Sequence, residues 1–84
     1  MAEQQIGEIN DFFSHVMVGG IALTGALKVG DRIRIKGHTT DIELDVSSMQ
    51  INNNNVAEAK KGDSVGVKVP DRVRRGDAVY KVSA

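Results

Sequence analysis

Apolar positions along the chain follow the spacing of strands. In Leu27 to Gly37, Ile33 and Ile35 point one way and Arg32, Arg34 and Lys36 the other, and a period of two marks a half-buried strand. Val65, Val67 and Val69 alternate with Gly66 and Lys68 and predict another strand, which Pro70 ends; Ala78 to Val82 predict the last. Ile6 to Phe13 has no helical spacing and contains Gly7, so it too reads as a strand. Its adjacent Phe12 and Phe13 must face opposite sides, one toward the core and one outward or under a loop. In Val16 to Leu23 the paired Gly19 and Gly20 predict a bend or bulge, because two glycines would cost a helix about 2 kcal/mol. Along Asp41 to Ile51 the inward residues Ile42, Leu44 and Val46 are even-numbered, whereas Met49 and Ile51 are odd. That change of parity predicts a β-bulge at Ser47-Ser48. Pairing Arg32–Lys36 with Asp41–Asp45 as a hairpin sets Arg34 beside Glu43 and Arg32 beside Asp45, a ladder of charge.

Between these runs one turn unit recurs: a basic residue, any residue, then Gly-Asp. It occurs as Lys28-Val29-Gly30-Asp31, Lys60-Lys61-Gly62-Asp63 and Arg74-Arg75-Gly76-Asp77. Glycine adopts positive φ without steric cost where the chain reverses, and the aspartate can accept backbone N–H groups that the turn leaves unpaired. Asn52 to Asn55 reads as a loop, Val56 to Lys61 as one helical turn, and Asp71 to Arg75 as a basic crossover. About six strands with almost no helix indicate an all-β fold, a compact β-barrel. The expected organisation is a flexible tail over Met1 to Gln5, a single domain over residues 6–82 and a short tail at 83–84.

Composition narrows the setting. A chain of 84 residues without cysteine has one core and neither disulfide nor thiolate metal site to reinforce it. No run approaches the roughly 18 apolar residues of a membrane span, so a cytoplasmic protein with no membrane association is expected. Eleven basic and eleven acidic residues cancel, which argues against a generic polycation. Their distribution is uneven: Lys60 to Ala84 hold seven basic and three acidic residues, making the C-terminal third the basic pole.

Taken in order, LTGALKVGDRIRIKG, SSMQI, VAEAKKGDSVGVKV and VRRGDAVYKV resemble the second domain of translational GTPases such as elongation factor Tu. The resemblance covers roughly Ile6 to Val82 and is closest to stand-alone elongation-factor-like proteins; a similar barrel ends some collagenase-like peptidases. It implies a small closed six-stranded antiparallel β-barrel of the translation-factor domain 2 type. In the elongation factors that domain packs on the GTPase domain and helps bind the aminoacyl end of transfer RNA. This chain has no G-x-x-x-x-G-K-[ST] phosphate loop and no basic residue at the Val16 to Gly20 bend, so no aminoacyl pocket carries over.

Catalytic chemistry has little support, and the expectation is a non-catalytic binding module without cofactor. His15 and His38 are the only histidines, and no nucleophile with an orienting acid stands near either. Asp31, Asp63 and Asp77 belong to turns rather than to a metal site. The row Arg32, Arg34, Lys36 could follow a phosphate backbone, but Glu43 and Asp45 neutralise it. Lys60, Lys61, Arg72, Arg74 and Arg75 lie in connections and are the candidate RNA- or partner-binding residues, with an outward Phe12 available for stacking and Asn52 to Asn55 at the rim. The leading expectation is therefore an RNA or ribonucleoprotein partner in translation. The alternative is a protein-interaction adapter docking on a separate GTPase-like or peptidase-like enzyme.

Overall fold

The computed structural model describes residues 2–52 and 54–83, among which ten strands form. They are β1 (Ala2–Phe13), β2 (Val18–Leu23), β3 (Leu27–Lys28), β4 (Arg32–Lys36), β5 (Asp41–Asp45), β6 (Met49–Ile51), β7 (Asn54–Val56), β8 (Glu58–Ala59), β9 (Ser64–Lys68) and β10 (Ala78–Ser83). Eight make one antiparallel sheet in the order β5-β4-β10-β1-β2-β9-β6-β7, and β3 pairs with β8 separately. The all-β antiparallel expectation holds, with more and shorter strands than six.

The inner face of the sheet carries one aliphatic cluster that includes Ile6, Ile9, Ile21, Ile33, Ile35 and Val79, each at most 1% exposed. With no cysteine to cross-link it, a domain of this size depends chiefly on such burial and on backbone pairing. Val69 and Val73 add to it from the β9–β10 connection, and a Cβ at Gly19 would lie 3.3 Å from Val73 Cγ2.

Each Gly-Asp turn is a two-way clip. Gly30, Gly62 and Gly76 have φ of 99°, 95° and 95°. The carboxylates accept the N–H of the residue three back, Lys28 to Asp31 (3.0 Å), Lys60 to Asp63 (3.0 Å) and Arg74 to Asp77 (2.9 Å). The glycine N–H groups donate to the carbonyls of Val46 (2.8 Å), Leu23 (3.0 Å) and Ile9 (2.8 Å). The N–H of those same residues donates back to the carbonyls of Asp31 (2.8 Å), Asp63 (2.9 Å) and Asp77 (2.8 Å). Ile9, Leu23 and Val46 are all core residues, so each turn fixes where the following strand starts against a residue already buried. Asp77 is itself 5% exposed and packs against Gly37, where any Cβ would overlap its carboxylate.

Several local expectations are corrected. Glu3, Gln4 and Gln5 pair with Val82, Lys81 and Tyr80, extending β1 into the segment expected as a tail; Met1 and Ala84 lie outside the described residues. Val56 to Lys61 is no helical turn, because Val56 closes a hairpin against Met49 and Glu58–Ala59 pair with Lys28–Leu27. Asn52 turns that hairpin at φ 51°, while Asn54 and Asn55 enter β7; Asn53 lies outside the described residues. Asp41 to Ile51 is two strands, first and seventh in the sheet order, joined by Val46, Ser47 and Ser48, so the parity change is a crossover rather than a bulge. The bulge expected near Gly19-Gly20 sits across the ladder, on β1 between Ile9 and Asp11.

The β4–β5 register is the one expected, Arg32 opposite Asp45 and Arg34 opposite Glu43. The side chains lean diagonally, however. Arg34 grips Asp41 with two bonds (Nε–Oδ1 2.8 Å, Nη2–Oδ2 2.9 Å) and reaches Glu3 at 3.3 Å, and Arg32 holds both Glu43 (2.8 Å) and Asp45 (3.1 Å). A planar guanidinium favours such two-point contacts over the residue directly opposite. The Arg34 guanidinium, and secondarily Lys36, holds the Asp41 carboxyl below its usual range.

Two outcomes are expected. Gly62→Val and Gly76→Val each lose about 1 to 3 kcal/mol in denaturant melts, because open space surrounds both Cβ positions and the cost is purely that of positive φ. D-alanine introduced there by chemical synthesis restores the stability, and equal melts for L- and D-alanine would overturn this account. Arg34→Glu lowers the melting temperature, and adding Asp41→Arg recovers more of the loss than adding Glu43→Arg. Because the folded-state pKa of Asp41 is depressed, its contribution is complete above the unfolded value of about 3.9 and disappears as pH falls through the lower folded one. Asp41→Asn therefore flattens the acid limb of the stability profile, which pH-dependent melts measure.

Candidate functional site

On the outer face, β1, β2, β9 and β6 place Asp11, Gly20, Gly66 and Gln50 in one cross-strand row. Two adjacent glycines leave that row without side chains over its middle, so the flanking strands stand about 14 Å apart with backbone as the floor. A groove of about 460 Å³ results, lined among others by Asn10, Asp11, Phe13, Val16, Val18 and Gln50. Asn10 leans over one glycine, since a Cβ at Gly20 would lie 2.7 Å from its Oδ1. At Gly66 a Cβ would come within 3.1 Å of Val18 Cγ1, so a side chain there would occupy the groove.

One wall is exposed apolar surface. Phe13 is 44% and Val16 47% exposed, and both border the groove. The β1–β2 connection presents them: Val16 N–H donates to the Phe13 carbonyl at 3.3 Å, and Met17 closes the turn at φ 55°. A non-glycine residue in that region costs of order 1 kcal/mol, and Met17 is anchored there by accepting the Val69 N–H at 2.9 Å. Phe12, expected as the outward aromatic, instead packs against the core opposite Gly19. The bulge between Ile9 and Asp11 is the cause, because one extra residue exchanges the sides of the two phenylalanines.

The candidate basic residues are not one surface. Lys60 and Lys61 precede β9 at its Ser64 end, whereas Arg72, Arg74 and Arg75 follow its Lys68 end, with the length of the strand between them. None of the five lines the groove, but Arg75 Nη2 lies 4.0 Å from Oδ1 of Asp11, which does. Lys60 lines a smaller polar depression with Glu58 and Asp63. His15 lines the groove and His38 is exposed in the Gly37–Thr40 turn, so the structure does not bring the histidines together. Among the described residues no helix is long and apolar enough to cross a membrane.

No family model matches the chain. Over 77 residues, 90% of its length, it is 49% identical to an uncharacterized protease of Methanocaldococcus jannaschii, and it spans only 19% of that protein. Among solved structures it resembles the C-terminal domain of a Geobacillus thermoleovorans protein named as a U32 peptidase. The TM-score is 0.89 at 12% identity, covering 95% of this chain and 93% of that one. The selenomethionine variant gives 0.86 at 11% identity, covering 90% and 96%. At such identities the structural likeness concerns the fold alone. These findings overturn the identification with translational GTPases and elongation-factor-like proteins: the sequence relative is named as an uncharacterized protease, and the solved structures are of the C-terminal domain of a protein named as a U32 peptidase.

Proposed function

We propose that this domain is a non-catalytic protein-interaction module that docks on a peptidase-like catalytic body. The observation that carries the reading is the 49% identity to a segment of a protein named as a protease, most of whose length lies outside the match. The fold likeness to the C-terminal domain of a second peptidase-named protein supports it independently. An exposed apolar groove on an otherwise charged small domain is the kind of surface that partners cover. In this reading the basic residues face an acidic protein surface, and a cysteine-free chain suits a reducing, cytoplasmic setting. Barrel-like wrapping of the sheet belongs to the same reading, supported by the three-residue link from β5 to β6, which can span no more than about 15 Å between the first and the next-to-last strand of the order.

Docking is tested by placing this chain in the Methanocaldococcus jannaschii relative, in exchange for the 77 matching residues, and melting both the chimera and the isolated chain. A domain held against the catalytic body melts later than it does alone, by about 4 to 8 °C for each kcal/mol of docking. A domain transition at the same temperature in both would count against the proposal.

A further inference from the structure

We propose that the groove beside Phe13, Val16 and Val18 receives an apolar side chain of the catalytic body, carried on a segment with acidic residues next to it. This deepens the docking reading above and rests on it. The groove has room for one large side chain in addition to the backbone bearing it, and its glycine floor lets that side chain approach the sheet itself. Its apolar wall is the exposed pair Phe13 and Val16, placed by a turn that keeps Met17 in an unfavourable conformation.

Charge decides what lies beside the apolar anchor. The titratable side chains lining the groove are Asp11 and His15; from β6 and its turn come only the neutral Gln50 and Asn52, and from β9 Ser64 and Gly66. An anionic anchor would therefore be desolvated beside the Asp11 carboxylate, and a cationic one would have to compete with Arg75 for that single carboxylate. Two cations stand next to lining residues. Lys68 lies two residues beyond Gly66 on the same face and opposite Val18, and Arg75, with its side chain 78% exposed, stands 4.0 Å from Asp11. On the β4–β5 face Arg32 and Arg34 are each held by two carboxylates at 2.8 to 3.3 Å, whereas Arg75 meets its one carboxylate, Asp11, only at 4.0 Å. Lys68 and Arg75 thus offer positive charge to carboxylates flanking an apolar anchor, an arrangement in which a buried centre supplies affinity and a polar rim supplies orientation.

The chimera described above tests the site. In the isolated chain, Phe13→Ser and Val16→Asn lower the melting temperature only modestly, since nearly half of each residue is already in water. In the chimera they abolish at least half of the rise that docking produces. Gly66→Gln, which fills the groove, does the same beyond any effect it has on the isolated chain. Arg75→Glu or high salt removes a smaller part of the rise. If the rise is present and Phe13→Ser, Val16→Asn and Gly66→Gln all leave it intact, the domain docks through another face and this inference fails while the docking reading stands. If the rise survives those substitutions only in part but ignores both salt and Arg75→Glu, the acidic flank is wrong. Absence of any rise in the unsubstituted chimera removes the docking reading itself.

Discussion

Everything in this domain depends on three exchanges of backbone hydrogen bonds, each tying a Gly-Asp turn to one buried aliphatic residue. Ile9, Leu23 and Val46 both donate to and accept from the turns that begin β10, β9 and β4. A net contribution of about 1 kcal/mol per hydrogen bond would not make these contacts exceptional. Their importance is positional. Slipping a strand by one residue would move its whole apolar set to the outside, and a clip on a core residue prevents that slip where each strand begins. The aspartates serve the same end from within the turn, satisfying the N–H of Lys28, Lys60 and Arg74.

With the inner face fixed in this way, the outer face is free to differ from place to place. Over β4 and β5 it is a lattice of arginine–carboxylate pairs, which suits an edge strand because charge discourages pairing with other chains. Over β2 and β9 it is almost bare, and the apolar residues of the neighbouring turn stand beside it. One sheet thus carries a charged region and a bare, apolar-edged one, separated by β10 and β1.

The parts legible in the sequence were those set by local rules. Alternation placed Arg32–Lys36, Ser64–Lys68 and Ala78–Val82 in strands, positive φ at Gly30, Gly62 and Gly76 followed from the turn chemistry, and the β4–β5 register followed from a four-residue connection. What escaped was set by distant partners. Asn54 and Asn55 have little intrinsic preference for strand, yet β6 pairs with them and Gln50 Nε2 donates to Asn55 Oδ1 at 3.1 Å. A parity change at Ser47-Ser48 has the same signature whether the chain bulges or crosses toward the other end of the sheet. Phe12 and Phe13 exchanged roles because of a bulge that leaves no mark at the residues themselves, although buried Ile6 and Ile9, three apart, do signal irregular pairing in β1. As for the groove, Gly20 and Gly66 each read alone as a weak point in a strand; only their pairing makes a floor.

The first and last strands of the chain lie side by side, Glu3 opposite Val82 and Glu8 opposite Ala78. Closing that pair means bringing together residues 70 to 79 positions apart, and contacts of such high contact order place small β domains among the millisecond-to-second folders. On the ribosome, where synthesis proceeds from the N-terminus, β1 can find β2 early but keeps one bare hydrogen-bonding edge until Ala78–Ser83 emerge. The polar Glu3, Gln4 and Gln5 along that waiting edge are then as much a safeguard for the nascent chain as a part of the finished sheet.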